Sequence, residues 1–285
     1  MQKIWGCGAR GQIGQAVNDV VDKLEFEMLD TDVDDLDVTD TDEVLRFGEM
    51  NRPDIIINCS GMTDISSCEE NPSQAFKVNA LGARNLAIVA AKMQAKMVQL
   101  STDDVFDGKS TEPYTEFDIT NPGTVYGKSK LAGENYVKEF TTKHFIVRST
   151  WVYGKGQNFI NGFLKKVDAG EQLSIASDQF GSPTSANELA RFLLHLVHTS
   201  EYGTYHATNK GVCSRYAFAQ EILKMTGKTA SMQPVPTVMS DFSKVRPAYA
   251  VLDNFIMSMV PIYDFPDWQD SLREYLEERG LYHAE

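Results

Sequence analysis

Apolar positions in the first half of the chain fall into short runs separated by stretches with helical spacing. The runs at Lys3–Gly6, Phe26–Leu29, Asp54–Asn58, Met97–Leu100 and Phe145–Arg148 are too short for helices, which predicts strands. Their nearly continuous apolar character belongs to strands covered on both faces, as in a parallel sheet. Between the first two runs, Ile13, Ala16, Val17, Val20 and Val21 fall on one helical face. A longer helical pattern places Val78, Leu81, Gly82, Leu86, Val89 and Ala90 on one side, and Asn71-Pro72-Ser73 supplies its start. Strands and helices alternating with right-handed crossovers give an α/β fold with a doubly wound parallel sheet, Rossmann-like.

After about residue 150 the texture changes. Turn-rich joints at 154–156, 181–183 and 203 separate helical patterns at Phe159–Ala169, Asn187–His198, Arg215–Met225 and Trp268–Arg279. This predicts residues 1–150 as the sheet domain. Residues 151–285 are mainly a smaller C-terminal α/β lobe for substrate selection, with some elements free to return to the first domain.

The turn after the first strand, Gly6-Cys7-Gly8-Ala9-Arg10-Gly11-Gln12-Ile13-Gly14, fits two overlapping frames: Gly6, Gly8, Gly11 or Gly8, Gly11, Gly14. In both, the glycines permit a tight strand-to-helix turn whose N–H groups approach a pyrophosphate at the helix N-terminus. Residues 1–150 thus read as a dinucleotide-binding domain. Asp30 ends the second strand, where a carboxylate accepts hydrogen bonds from adenosine ribose hydroxyls and favours NAD(H). Arg10 points the other way, since a guanidinium in the turn can hold the 2′-phosphate of NADP(H). NADH and NADPH both stay open. Asp37 and Val38 are adenine-contact candidates.

Tyr126 and Lys130 stand four residues apart and share a helical face. An ammonium beside a phenol stabilises the phenolate, so the tyrosine can deliver its proton to an oxygen as hydride reaches the attached carbon. Thr102, in Ser101-Thr102-Asp103 at the end of the fourth strand, offers a hydroxyl to polarise the same oxygen. Strand carboxyl ends open on the ligand crevice in this architecture.

The bulk properties remove other classes. The 285 residues are 42% hydrophobic and 24% charged, enough for a substantial core without disulfides or metals. No apolar run is long enough to cross a bilayer, and no basic-then-apolar leader opens the chain, so a cytoplasmic protein is expected. A net charge of −13 argues against nucleic acid and means that an anionic substrate must meet local basic groups. Cys7, Cys59, Cys68 and Cys213 show no metal-finger or redox spacing. Reduced thiols are expected, with Cys7 and Cys59 buried beside strands.

With these motifs the chain resembles the extended short-chain dehydrogenases/reductases and, within them, the dTDP-4-dehydrorhamnose reductase family. The resemblance runs from Ile4 to about Leu272. It rests on residues 8–14, 53–58, 101–106, 126–133, 149–154 and 178–184, with Arg246-Pro247 and Pro266-Asp267-Trp268. It implies reduction of the C4 ketone of dTDP-6-deoxy-L-lyxo-4-hexulose to dTDP-L-rhamnose, a step of polysaccharide biosynthesis, with Tyr126 as proton donor and Lys130 and Thr102 assisting. It implies cofactor contacts at Gly8, Arg10, Gly11, Gln12, Ile13, Asp30, Asp37, Val38, Ser60, Gly61, Met62, Thr63, Tyr126 and Lys130. Substrate contacts follow at Thr102, Asp103 and Trp151, whose indole face suits a deoxysugar ring. Asn158, Phe159, Gln179 and Arg246 are expected to hold the nucleotide, Arg246 meeting the diphosphate. Asp104 departs from the family's usual tyrosine, and Ala250 from its usual serine. Ala16 stands where some relatives place an acidic residue of a metal-linked dimer, so no metal is expected, and monomer and homodimer both stay open. Another nucleotide-sugar ketoreductase or epimerase, or a non-catalytic NAD(P)-binding regulatory subunit, are the alternatives; the intact Thr102, Tyr126 and Lys130 set opposes the last.

Overall fold

Six parallel strands form the central sheet of the computed structural model, which describes residues 1–239 and 248–283. Five come from the first half: β1 (Gln2–Cys7), β2 (Phe26–Thr31), β3 (Ile55–Asn58), β4 (Lys96–Thr102) and β5 (His144–Ser149). Strand Gly203–His206 adds to the free edge of β5. The order from that edge is 203–206, β5, β4, β3, β1, β2. The chain therefore leaves β1 towards β2 and then crosses to β3 on the other side. Such a reversal opens a crevice beyond the carboxyl ends of the two strands it separates, here β1 and β3.

Both faces are covered, as the unbroken apolar strands require. Helix α1 (Gln12–Val20) buries Ala16 and Val17 against Ile4, Ile55 and Ile57, together with the helix Ala186–Val197 from the second half. The opposite face carries α2 (Thr41–Asn51) and α5 (Ala83–Met93), which pack Val44, Leu86 and Val89 on Trp5 and Ile56. Helix Ala186–Val197 and strand 203–206 thus return to the sheet from beyond residue 150. The smaller lobe has its own core, in which Phe163, Phe218, Trp268 and Leu272 are buried. Its short sheets pair residues 173–176 with 232–235, and 180–181 with both 213–214 and 249–250.

One element departs from the sequence pattern. After α3 (Ile65–Glu70) and α4 (Pro72–Phe76), the segment Lys77–Gly82 is a π-helix leading directly into α5. Bonding from i to i+5 widens the turn and breaks the 3.6-residue register. As a result Leu81, assigned by spacing to the apolar face, is 40% exposed, while Asn79 turns inward and is 2% exposed. All four cysteines are free thiols; Cys7, Cys68 and Cys213 are buried and Cys59 is half-buried. Burial pushes Cys59 and Cys213 up to about 12, and Cys7 higher still, so none is primed as a nucleophile. Among the described residues no helix is long and apolar enough to cross a membrane.

Candidate active site

The crevice starts at Gly8, whose φ of +74° is the left-handed conformation that glycine adopts at little cost. A Cβ there would lie 2.7 Å from Ser60 N and 2.8 Å from Cys59 C, so the turns after β1 and β3 touch backbone to backbone. At Gly14 a Cβ would meet Gly8 O at 2.4 Å, which lets α1 begin hard against the turn. Gly11 caps α1 without a side-chain hydrogen bond, leaving the first-turn N–H groups facing the crevice. A groove of about 420 Å³ runs over this turn and gathers Gly8, Gly11, Asp37, Val38, Ser60, Gly61 and Met62.

These features fit a dinucleotide. Side chains that would block a pyrophosphate are missing at Gly8 and Gly11 in the groove lining, and Gln12 Oε1 is buried with no hydrogen-bond partner among the described residues. Ile13 is half-buried and packs against the core under α1. Asp30 is exposed at the end of β2, with Oδ1 so near Gly6 that a Cβ there would lie 2.9 Å away. Arg10 is turned into the acidic loop: its guanidinium pairs with Asp34 at 2.7 Å and Asp35 at 3.0 Å, and its backbone N–H donates to Asp32 Oδ2 at 2.8 Å. Both ion pairs are largely exposed, so little free energy holds the guanidinium there.

The loop after β3 is held from below by amides. Asn58 Oδ1 accepts from Ser60 N at 3.0 Å, and Asn58 Nδ2 donates to Gln99 Oε1 at 2.8 Å. Asn79, brought inward by the π-helix, accepts from Met62 N at 2.8 Å and donates to Met62 O at 2.9 Å. Its Nδ2 also donates to Ser129 Oγ at 2.9 Å. One side chain therefore ties the cofactor loop to α6 (Val125–Phe140), the helix of Tyr126 and Lys130. Asn79 escaped sequence reasoning because the only signal was a lone polar residue within a helical apolar pattern.

Thr124 caps α6 by accepting from Gly127 N at 2.9 Å. The absence of a side chain at Gly127 seats the first turn directly on the segment after β4: a Cβ there would lie 2.0 Å from Asp104 O. Tyr126, in this first turn, is 8% exposed and packs with Ile65, Cys68 and Ala75. Thr102 Oγ1 lies 3.2 Å from Asp103 Oδ1 and accepts from Asp104 N at 3.2 Å. Lys130 Nζ reaches the cofactor loop, 3.7 Å from where a Cβ of Gly61 would stand. Burial lowers Lys130 to about 8, partly offset by the charge of Glu134. Asp104 is buried, and its charge helps push up the Cys68 thiol.

The lobe side is built differently. Trp151 follows β5 with a φ of +47°, rare for a bulky residue. The Arg215 guanidinium lies 3.4 Å over one indole face and 4.6 Å over the Phe159 ring. On the other indole face sits Gly181, where a Cβ would be 2.5 Å from the ring. With Arg215 and Gly181 both packed on the ring, the indole lacks the open face expected for sugar stacking. Gln179 is buried, and its carbonyl accepts from Arg215 N at 3.0 Å. Asn158 spends its side chain on structure: Oδ1 caps the helix Phe159–Asp168, and Nδ2 donates to Gly154 O at 2.7 Å. Arg246 lies outside the described residues. Arg215 gave no signal beyond following the helix-capping Ser214. A second groove of about 420 Å³, around Asn209, Lys210 and Asp253, holds none of the predicted site residues.

Comparison with known proteins fixes the family. The family described as "RmlD substrate binding domain" matches residues 2–280. The chain belongs to the RmlD family. It is 40% identical to a dTDP-4-dehydrorhamnose reductase from Clostridium acetobutylicum, whose structure superposes with a TM-score of 0.95 over 98% of this chain and 100% of that one. It is 35% identical to the Bacillus anthracis dTDP-4-dehydrorhamnose reductase solved with NADP, with a TM-score of 0.94 over 98% and 99% of the two chains. The spore coat polysaccharide biosynthesis protein SpsK of Bacillus subtilis shares 35% identity over 98% of this chain and 99% of its own. The chain also superposes with a TM-score of 0.83 on the Thermus thermophilus UDP-glucose 4-epimerase at 17% identity, a likeness of fold alone.

Proposed function

We propose that this RmlD-family chain is an NADPH- or NADH-dependent reductase that converts the 4-ketone of dTDP-6-deoxy-L-lyxo-4-hexulose to dTDP-L-rhamnose, working in the cytoplasm. The observation that supports this reading is the seating of α6 on the segment after β4 at Gly127, together with Lys130 Nζ lying against Gly61 in the groove. Gly8, Gly11, Gln12 and the 60–63 loop hold the dinucleotide, with Asp30, Asp37 and Val38 at the adenosine end. When bound, the reduced nicotinamide supplies the hydride. Thr102 and Tyr126 then hold the sugar's carbonyl oxygen between two hydroxyls, and Tyr126 gives its proton to that oxygen as C4 becomes an alcohol carbon. Lys130 stabilises the phenolate left behind and holds ribose hydroxyls. Residues 1–150 carry the dinucleotide, and the lobe formed mainly by 151–285 carries the sugar nucleotide.

A 2′-phosphate recruits Arg10 from its exposed ion pairs, while Asp30 serves the 2′-hydroxyl. Both cofactors are therefore usable. The test is reduced-cofactor consumption with the keto-sugar in wild type and Tyr126→Phe. Loss of the phenol proton lowers kcat by about 10²–10⁴-fold with cofactor affinity nearly unchanged. Equal rates would remove Tyr126 from the mechanism, and epimerised sugar without net cofactor oxidation would replace the reductase reading.

A further inference from the structure

One turn beyond Lys130 on the same face of α6 stands Glu134, fully buried. Its carboxylate accepts from Arg148 Nε at 2.9 Å, Arg148 Nη2 at 2.7 Å and Ser101 Oγ at 2.5 Å. The Arg148 side chain is 4% exposed and lies 5.3 Å over the Phe106 ring. Taking both charges out of water costs several kcal/mol per ion, and an apolar pair of similar volume would hold α6 on the sheet as well. What the ion pair adds is position. It sets a negative charge one helical turn from the Lys130 ammonium and joins it, through Ser101, to the strand residue next to Thr102.

We propose that Glu134, balanced by Arg148, is a positioning residue for the reduction: its carboxylate keeps the Lys130 ammonium charged and in place, and through Ser101 it steadies the strand end bearing Thr102. This rests on the roles given above to Tyr126, Lys130 and Thr102. The titratable and charged groups facing Lys130 and Glu134 are Tyr126 and half-exposed Lys138 on α6, the latter 3.8 Å from Glu134 Oε2, Cys59 after β3, Asp103 and Asp104 after β4, and Arg148 on β5. The π-helix contributes uncharged Asn79. Burial draws Lys130 down to about 8, and Glu134 is the largest opposing influence. Cys59, itself pushed up to about 12, stays a neutral thiol over the working range.

Glu134→Gln keeps the shape and the Ser101 bond but leaves Arg148 as an uncompensated cation near Lys130. A unit charge at helical-neighbour distance, about 6 Å, with an effective dielectric constant near 20 moves a neighbouring group by about two pH units. Loss of the negative charge favours deprotonation of both members of the Tyr126–Lys130 pair. The alkaline limb of the kcat profile is therefore expected to move acidward by about one to two units. In Glu134→Gln/Arg148→Met, which leaves neither charge uncompensated, it moves by about half as much. Competitive acetylation of Lys130 by acetic anhydride, read by mass spectrometry without substrate, should show the same order. An ion pair that only braces the fold changes the melting temperature but leaves the limb and the acetylation midpoint fixed; that result in either folded variant overturns the proposal. Shifted acetylation in a protein that turns over no keto-sugar upholds the proposal and sinks the assigned substrate instead.

Discussion

The glycine turn after β1 and the side-chain stack around Trp151 are built by opposite means. On the sheet side, Gly8, Gly11 and Gly14 remove side chains so that backbone approaches backbone, and amides from Asn58 and Asn79 brace the loops from beneath. On the lobe side, Trp151, Arg215 and Phe159 form a stack of large side chains, sealed behind by Gly181. A backbone wall reads what every dinucleotide shares: a pyrophosphate and two riboses. A wall of side chains can be retuned one residue at a time, which suits the choice of sugar nucleotide. Cofactor binding and substrate choice should therefore fail separately.

Gly8→Ala attacks the backbone wall most directly. The new Cβ needs a left-handed conformation and lies 2.7 Å from Ser60 N. Strain of about 3 kcal/mol corresponds to about 100-fold weaker cofactor binding by fluorescence titration, with KM for the sugar nucleotide little changed in whatever activity remains. Next in size is pH. Lys130 at about 8 is charged below that value and neutral above it, so kcat should fall about tenfold per unit as pH rises beyond 8. Binding on the lobe wall should stay flat across that range; a parallel rise in sugar-nucleotide KM would break the separation.

Arg215→Leu tests the other wall. Losing a desolvated cation–π contact of about 2 kcal/mol should raise KM for the sugar nucleotide by about tenfold or more while leaving the cofactor dissociation constant unchanged. The smallest effect is expected for Arg10→Ala. Its exposed ion pairs are worth under about 1 kcal/mol, so thermal stability should hardly move. NADPH affinity should drop several-fold and NADH affinity should not, and an equal effect on both would place Arg10 outside 2′-phosphate recognition.

The sheet wall was largely legible in the sequence because its determinants are local. A glycine run after an apolar strand, and a Tyr–Lys pair at helical spacing, carry their meaning within a few residues. The helices of the second half were legible for the same reason: the pattern at 215–225 and the helix Arg215–Thr226 coincide nearly end to end. What escaped depends on distant partners. Arg215 acquires its role only when Trp151 and Phe159 are folded onto it, and the indole's open face closes only when Gly181 arrives from another strand. Position 203 was read only as a turn-rich joint, and the place of strand 203–206 beside β5 is set by the hydrogen bonds that the edge of the sheet still needs. Leu81 was misread and Asn79 missed for a different reason, because a regular helical period was applied where the backbone does not keep one.

That irregular turn makes the spacing between Pro72 and Ala83 a matter of counting residues rather than of chemistry. Deleting one residue from Lys77–Gly82 would allow an ordinary α-helix, more regular than the native one and with every neighbouring element still docked. Asn79 would then swing about a quarter-turn or more around the axis, releasing Met62 and Ser129 together. Such a shortened protein should fold at least as well by circular dichroism and yet grip its dinucleotide poorly, a gain in regularity traded against use.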